Sequence, residues 1–149
     1  MKKRRALETN LAEFYHTCKK NNLKLTPQRV EIFKELIESN EHPTANKIYR
    51  RVKKKIPNIS FDTVNRTLLK FVEIGLAKIV EGKEDFRRYD GVVARHHHFY
   101  CIKCHRIIDI YDQRLDDINI PKVLDERLVV IDSKIIFDGI CDKCKKNSF

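Results

Sequence analysis

Four of the five cysteines fall in two pairs of identical spacing, Cys101-x-x-Cys104 and Cys141-x-x-Cys144. Each pair presents two thiolates, and two pairs make the ligand set of a closed tetrahedral structural zinc. The competing reading, four reduced thiols packed as small apolar side chains, leaves the repeated spacing unexplained. A second group of ligating side chains stands upstream. Asp90, His96 and His98 offer a carboxylate and two imidazoles, and the two histidines share one face of a strand because side chains alternate along it. This group lacks thiolate, which suits exchangeable iron, manganese or zinc. A surface histidine cluster with weak adventitious affinity is the plainer alternative. His97 points to the opposite strand face and is read as solvent-facing; His16 and His105 are given no role.

The elements that must position these groups differ between the two halves of the 149-residue chain, which carries a formal charge of +10. Residues 1–90 hold 21 Lys and Arg against 12 Asp and Glu, whereas residues 91–149 hold 10 against 9. The N-terminal half is therefore the one suited to a polyanion, although basic solubility alone accounts for many such surfaces. No apolar run is long enough to span a membrane, and Met1-Lys-Lys-Arg-Arg5 leads into a polar helix rather than a signal peptide. The expectation is a cytosolic protein, where paired CxxC motifs mean metal rather than disulfide. The fifth cysteine, Cys18, shares a helical stripe with Leu7, Leu11, Phe14 and Tyr15 and reads as a buried, inert thiol.

Helical periodicity predicts a first helix over 4–21. A second begins with Thr26 as cap and Pro27 in the first position, burying Val30, Phe33, Leu36 and Ile37 up to Ser39. Thr44 caps a third, which buries Ala45, Ile48, Tyr49 and Val52 and gathers Arg50, Arg51, Lys53, Lys54 and Lys55 at its exposed end. Pro57 stops it. Ser60 caps a fourth helix over 61–74, closed by Gly75. Its inward face is Phe61, Val64, Leu68, Phe71 and Val72; its outward face is Asp62, Thr63, Arg66 and Lys70, with Asn65 on the flank. Residues 76–81 and 85–90 alternate and are joined by a Gly-Lys turn, which predicts a β-hairpin. Helix, turn, helix, hairpin is the winged helix-turn-helix order.

Beyond Gly91 the pattern turns to strands, over 96–101, 107–111, 128–132 and 134–140, with a helix interrupted at Pro121 inside 115–126. The fold class predicted is α+β: a winged-helix DNA-binding domain over 1–91, then a small mixed α/β domain over 92–149 held by the structural zinc.

With both halves read, the chain resembles the ferric uptake regulator (Fur) family of metal-dependent bacterial repressors. The motifs that carry the resemblance are Leu25-Thr-Pro-Gln-Arg29, His42-Pro-Thr-Ala45, Thr63-Val-Asn-Arg66, Gly75-Leu76, Tyr89-Asp90, His96-x-His98-x-x-Cys101-x-x-Cys104, Asp109 and Cys141-x-x-Cys144. They span nearly the whole chain and are specific as a set. The resemblance implies a homodimer with N-terminal winged helices on an operator in double-stranded DNA and C-terminal dimerisation domains. It also implies a regulatory Fe(II) or Mn(II) bound between the domains by His42, Asp90, His96, His98 and Asp109, so that occupancy sets domain geometry. Asp109 in place of Glu resembles the peroxide-sensing, PerR-like branch, in which Fe(II) directs peroxide to the histidine ligands themselves. On that reading peroxide is a signal, no other small molecule is a substrate, and no membrane is involved.

Two departures from the family pattern stand out. Asn65 occupies the recognition-helix position where Tyr is usual, which exchanges contact with thymine methyls for amide pairing with adenine. Arg95 stands before the histidine cluster, and Asp132 and Ser133 replace histidine further on, so a third metal site found in some members is expected to be empty here. Candidate DNA contacts are Lys24, Ser60, Thr63, Asn65, Arg66 and Lys70, with Lys53, Lys54 and Lys55 on phosphate. Alternatives are an iron-sensing regulator without peroxide response, a zinc enzyme, and a zinc-ribbon RNA-binding module. The enzyme reading wants a His-x-Glu that the cluster lacks, and the RNA module leaves the capped N-terminal helices without a purpose.

Overall fold

The computed structural model describes the backbone of residues 2–80 and 86–147, with side chains from residue 8 onward except that of residue 125. The chain divides into two compact units, Met1–Val93 and Ala94–Phe149.

In the first unit, α1 (Lys2–Lys20) and α2 (Pro27–Glu38) precede α3 (Ala45–Lys55) and α4 (Phe61–Glu73). Each of the last three is started by a hydroxyl that satisfies an otherwise unpaired N–H of the first turn. Thr26 Oγ1 accepts from Arg29 N, Thr44 Oγ1 from Lys47 N and Ser60 Oγ from Thr63 N. Gly75 ends α4 at φ +81°, where a Cβ would be strained, and Leu76 N donates back to Phe71 O at 2.8 Å. The helices enclose one apolar core. Phe14 stacks on Phe33 with centroids 4.4 Å apart, and both meet the edge or face of Phe71 at 5.6 and 5.9 Å. Ile32, Leu36, Ile48, Val52, Leu68 and Cys18 complete its buried centre.

Some sequence-based assignments change. Tyr15 and Phe61 are exposed rather than inward, while Ile32, which had no assigned place, is fully buried. Phe61 sits at the first position of α4, where the helix has not yet turned it onto the core, and it packs edge-on against Tyr49 instead. The side chain of Leu7 lies outside the described residues.

Strands β1 (Lys78–Val80) and β2 (Arg88–Asp90) pair antiparallel, Ile79 opposite Tyr89, and form the wing; the expected Gly-Lys turn between them lies outside the described residues. The other edge of β2 binds the segment before α3. Tyr89 N donates to Pro43 O at 2.9 Å, Arg88 Nε donates to His42 O, and Thr44 bridges to Arg88. Residues 42–44 are thereby fixed beside the C-terminal end of β2.

The second unit is built on β3 (His97–Cys101), flanked by antiparallel β4 (Ile107–Ile110) and parallel β5 (Ile136–Gly139). Gly139 lies under the Phe99 ring, where a Cβ would come within 2.9 Å of two ring carbons. Two single-turn helices, α5 (Gln113–Asp116) and α6 (Lys122–Asp125), lie on either side of Pro121, so the interrupted helix is two separate turns. A last short helix, α7 (Asp142–Lys146), carries the final cysteine. The expected strand over 128–132 is absent: residues 128–135 form neither helix nor strand, and Val129 and Ile131 are 90% and 94% exposed. Both edges of β3 are taken by β4 and β5, and the stretch pairs with neither of the outer edges that these two strands leave.

Candidate metal centres and nucleic-acid interface

The four paired cysteines meet in the second unit because of strand register. Cys101 ends β3 opposite Gly139 of β5, and Ile102 N donates to Gly139 O at 2.9 Å, so the chain leaves β5 directly beside the first knuckle. That knuckle closes on itself: His105 N donates to Cys101 O, and His105 takes a left-handed φ of +60° at its tip. Cys141 stands at the N-cap of α7, and Lys145 N donates to its carbonyl at 2.8 Å, which brings Cys144 round one turn later. All four sulfurs lie within 4.8 Å of one another, and Cys104 Sγ is 3.7 Å from Cys141 Sγ. A tetrahedral ion with Zn–S bonds of about 2.3 Å needs sulfurs about 3.8 Å apart, close to the Cys104–Cys141 separation, so the tetrad is of a size for zinc.

Its electrostatics ask for a cation as well. The N–H of Cys104 holds the Cys101 thiol down at about 6, and the N–H of Cys144 lowers Cys141, whereas Cys144 is pushed up to about 12, first by its bond with Cys104 and then by burial. Thiolates this close repel, and a divalent ion removes the conflict.

The histidine and aspartate candidates fall into two groups, one in each unit. In the first, the buried His42 and Asp90 face each other, His42 Nε2 lying 3.4 Å from Asp90 Oδ2. The β2 contacts to residues 42–44 create this pair. Val92 N also donates to Asp90 Oδ1 at 2.8 Å, which fixes the carboxylate. In the second unit, His98 sits opposite Asp109 across the β3–β4 ladder, and Nε2 of both His96 and His98 is 3.4 Å from Asp109 Oδ1. His96 precedes β3 rather than lying in it, and its Nδ1 donates to Ala94 O at 2.7 Å, which leaves the Nε2 lone pair for a ligand. The separations match neighbouring ligands of one ion with bonds of about 2.1 Å. Sequence reasoning missed Tyr111, whose ring stacks on His96 at 5.3 Å. Its alternation with Asp109 along β4 was the available signal.

His97 corrects an expectation, since it is 1% exposed rather than solvent-facing. Ile135 N donates to its Nδ1 at 3.0 Å, so Nε2 carries the proton and donates to Asp116 Oδ1 at 2.9 Å. Arg95 joins the same cluster, with Nε 3.5 Å from Asp116 and Nη2 donating to Ser133 Oγ at 2.8 Å. A guanidinium thus stands against the carboxylate that a cation there would need.

On the first unit, α4 presents Asp62, Thr63, Asn65, Arg66 and Lys70 away from the core, with Arg66 79% exposed. Ser60 and Thr63 share a hydroxyl contact of 2.9 Å, Lys70 pairs with Glu73 at 3.0 Å, and Lys24 is exposed ahead of α2. The three lysines closing α3 are not alike. Lys55 Nζ sits between the half-buried Glu31 and Glu35, whose hydrogen bonds push its pKa up. Lys53 donates to Tyr49 Oη at 2.8 Å and lies over its ring. Lys54 is exposed and has no recorded partner among the described residues.

A winged helix-turn-helix unit followed by a cysteine-tetrad α/β unit defines a metal-binding DNA regulator. The ferric uptake regulator family matches residues 20–137, and this chain belongs to that family. Among relatives, it is 31% identical over 141 residues to the peroxide-responsive repressor PerR of Staphylococcus epidermidis, covering 95% of this chain and 94% of that one. It is 33% identical over 136 residues to the peroxide operon regulator of Bacillus subtilis, covering 91% and 94%. The solved ferric uptake regulator of Helicobacter pylori, described as having three functional metal-binding sites, superposes with a TM-score of 0.76 at 26% identity over 93% of each chain. The protein is a DNA-binding, metal-dependent transcriptional regulator and not an enzyme. No described helix is long and apolar enough to cross a membrane.

Proposed function

We propose that this protein is a cytoplasmic, homodimeric repressor that senses peroxide through oxidation of its own metal ligands. Cys101, Cys104, Cys141 and Cys144 hold a structural zinc. His42, Asp90, His96, His98 and Asp109 together hold a regulatory Fe(II) or Mn(II), which ties the DNA-binding unit to the dimerisation unit. Lys24, Ser60, Thr63, Asn65, Arg66 and Lys70 face the operator. The observation that carries the reading is the matched pair of half-sites: each unit brings imidazole and carboxylate to 3.4 Å from one another, two donors in the first and three in the second, and none is a thiolate, which suits an exchangeable ion. The names of the relatives support the peroxide signal.

Fe(II), when bound, would supply one-electron redox chemistry for peroxide and end in the state in which it began. His42 or His96 would gain one oxygen atom at a ring carbon while the other peroxide oxygen leaves as water, a net insertion into one C–H bond whose two electrons come from the ring. The oxidised ring donates its nitrogen lone pair less well, the ion loosens, and the first unit is released from the geometry that fits DNA. The uncovered Val129 and Ile131 support a partner copy over that face.

The test is tryptic mass spectrometry after brief stoichiometric peroxide, on protein loaded with Fe(II) or with Mn(II). The expected result is one added oxygen on the His42 or His96 peptide with Fe(II), none with Mn(II), and loss of operator binding in the first case. Both peptides unmodified while DNA binding persists would make this an iron-sensing regulator instead.

A further inference from the structure

Of the two exposed acids of α4, Glu73 ends the helix and Asp62 stands in its first turn on the outward face, where its place is poorly explained by duplex affinity. A carboxylate on a surface that approaches phosphates weakens binding to every sequence alike. Its contribution to the helix is small: an exposed i,i+4 pair adds a few tenths of a kilocalorie at most, and a first-turn acid gains modestly from the helix dipole. What it does geometrically is more specific. Asp62 Oδ2 lies 2.9 Å from Arg66 Nε, one turn along the same face. Nε is the inner nitrogen of the guanidinium, so an ion pair on that side leaves the two Nη groups on the outer edge. That edge is the planar fork that donates to O6 and N7 of guanine. An arginine already held in this orientation loses less side-chain freedom when it binds. The neighbours do not compete for the carboxylate: Ser60 and Thr63 bond to each other, and Lys70 is drawn to Glu73 at the far end of the helix.

We propose that Asp62 is a positioning residue for base recognition, holding Arg66 through Nε so that its Nη edge reads a guanine in each half-site. This rests on α4 being the operator-reading helix, as in the function proposed above, and adds a residue that the family motifs do not include. It also assigns neighbouring duties, with Asn65 free to select adenine and Arg66 fixed on guanine.

The experiment is selection from a randomised duplex library by full-length protein loaded with Zn(II) and Mn(II), followed by affinity measurement on the winning and on random duplexes. Wild type should enrich guanine at one position per half-site, and Arg66→Ala should lose that enrichment. Asp62→Ala should reduce the guanine preference by about twofold, the scale of one exposed i,i+4 pair, while its affinity for random duplex holds or rises. Asp62→Asn, which removes the charge of the ion pair, should lose the preference to the same extent, whereas Asp62→Glu should keep most of it. A purely structural Asp62 would lower the melting temperature and weaken all sequences equally with the base profile unchanged, which overturns the proposal. Wild type that bound no duplex in a salt-dependent way would overturn the operator-reading role as well, so the two failures are distinguishable.

Discussion

The two units solve the problem of stability in opposite ways. In the first, the large apolar side chains converge: Phe14, Phe33 and Phe71 form one aromatic cluster, and Ile32, Ile48 and Leu68 are fully buried around it. In the second, Ile118, Val123, Val129, Ile131 and Phe137 are all exposed in the single chain, and the buried positions are mostly histidine, tyrosine and cysteine. A segment of this size with so little buried apolar surface cannot offset its chain entropy by packing. Metal cross-linking and a partner's surface must supply the difference. The basic first unit is thus self-sufficient, and the second, on the function proposed above, depends on its zinc and on a partner copy.

Removing the structural ion should break this comparison hardest. Apparent binding energies for structural zinc run to about 10–16 kcal/mol, and most of that is folding energy. Chelation under reducing conditions should therefore abolish hydrogen-exchange protection in β3, β4 and β5 while α2, α3 and α4 keep theirs. Cys101→Ser should do the same. Acid should assist release, because protons compete with the ion for the thiolates. Persistent protection of the sheet after zinc loss would show that the second unit has a sufficient core after all.

Next in size is a wound to the first unit. Phe71→Ala empties a site in contact with both other rings and should cost about 3–5 kcal/mol. Calorimetry should show the first unit melting earlier with the zinc content unchanged; simultaneous loss of zinc would mean the units do not fold independently.

Smaller again is Ile131→Asp. On an isolated chain a residue 94% exposed tolerates a charge almost freely. Under a second copy the charge would be buried, and dimer dissociation should rise at least about tenfold, roughly 1.4 kcal/mol. Sedimentation of the variant at low micromolar concentration distinguishes the two.

How far the sequence could be read follows the same division. The helices of the first unit are marked by caps, Thr26, Thr44 and Ser60, and by a stop at Gly75, and these local signals place the elements within a residue or two. The errors there are at helix edges, such as Phe61, where periodicity does not decide which side of the first turn faces the core. In the second unit alternation gave two false leads. It put His97 in solvent, but a histidine can satisfy both nitrogens inside, here with Ile135 and Asp116, and no sequence spacing reveals a partner 19 and 38 residues away. It also predicted a strand over 128–132, and the composition is that of a strand, yet these residues pair with neither outer edge of the sheet, and composition alone does not decide pairing. The cysteine knuckles were legible because their spacing is itself the chemistry. The pairing of His42 with Asp90 came only from the family resemblance and not from spacing, since it depends on β2 binding residues 42–44.

The smallest expected effect separates two adjacent lysines of the basic unit. Sequence reading gave Lys53, Lys54 and Lys55 one duty, contact with phosphate. In the structure Lys55 is committed to Glu31 and Glu35 on α2, whereas Lys54 faces outward. Lys54→Ala should therefore weaken binding to operator and random duplex alike and lower the slope of log K against log salt by about one, the signature of one lost phosphate contact. Lys55→Ala should leave that slope unchanged. It should instead cost stability, though little, because Lys55 is 53% exposed and solvent screens the pairs; a loss within about 1 kcal/mol is expected. Salt titrations by fluorescence anisotropy, paired with urea melts of the same two variants, measure both axes. Equal slopes for the two would return Lys55 to the DNA-binding face and remove its role in tying α2 to α3.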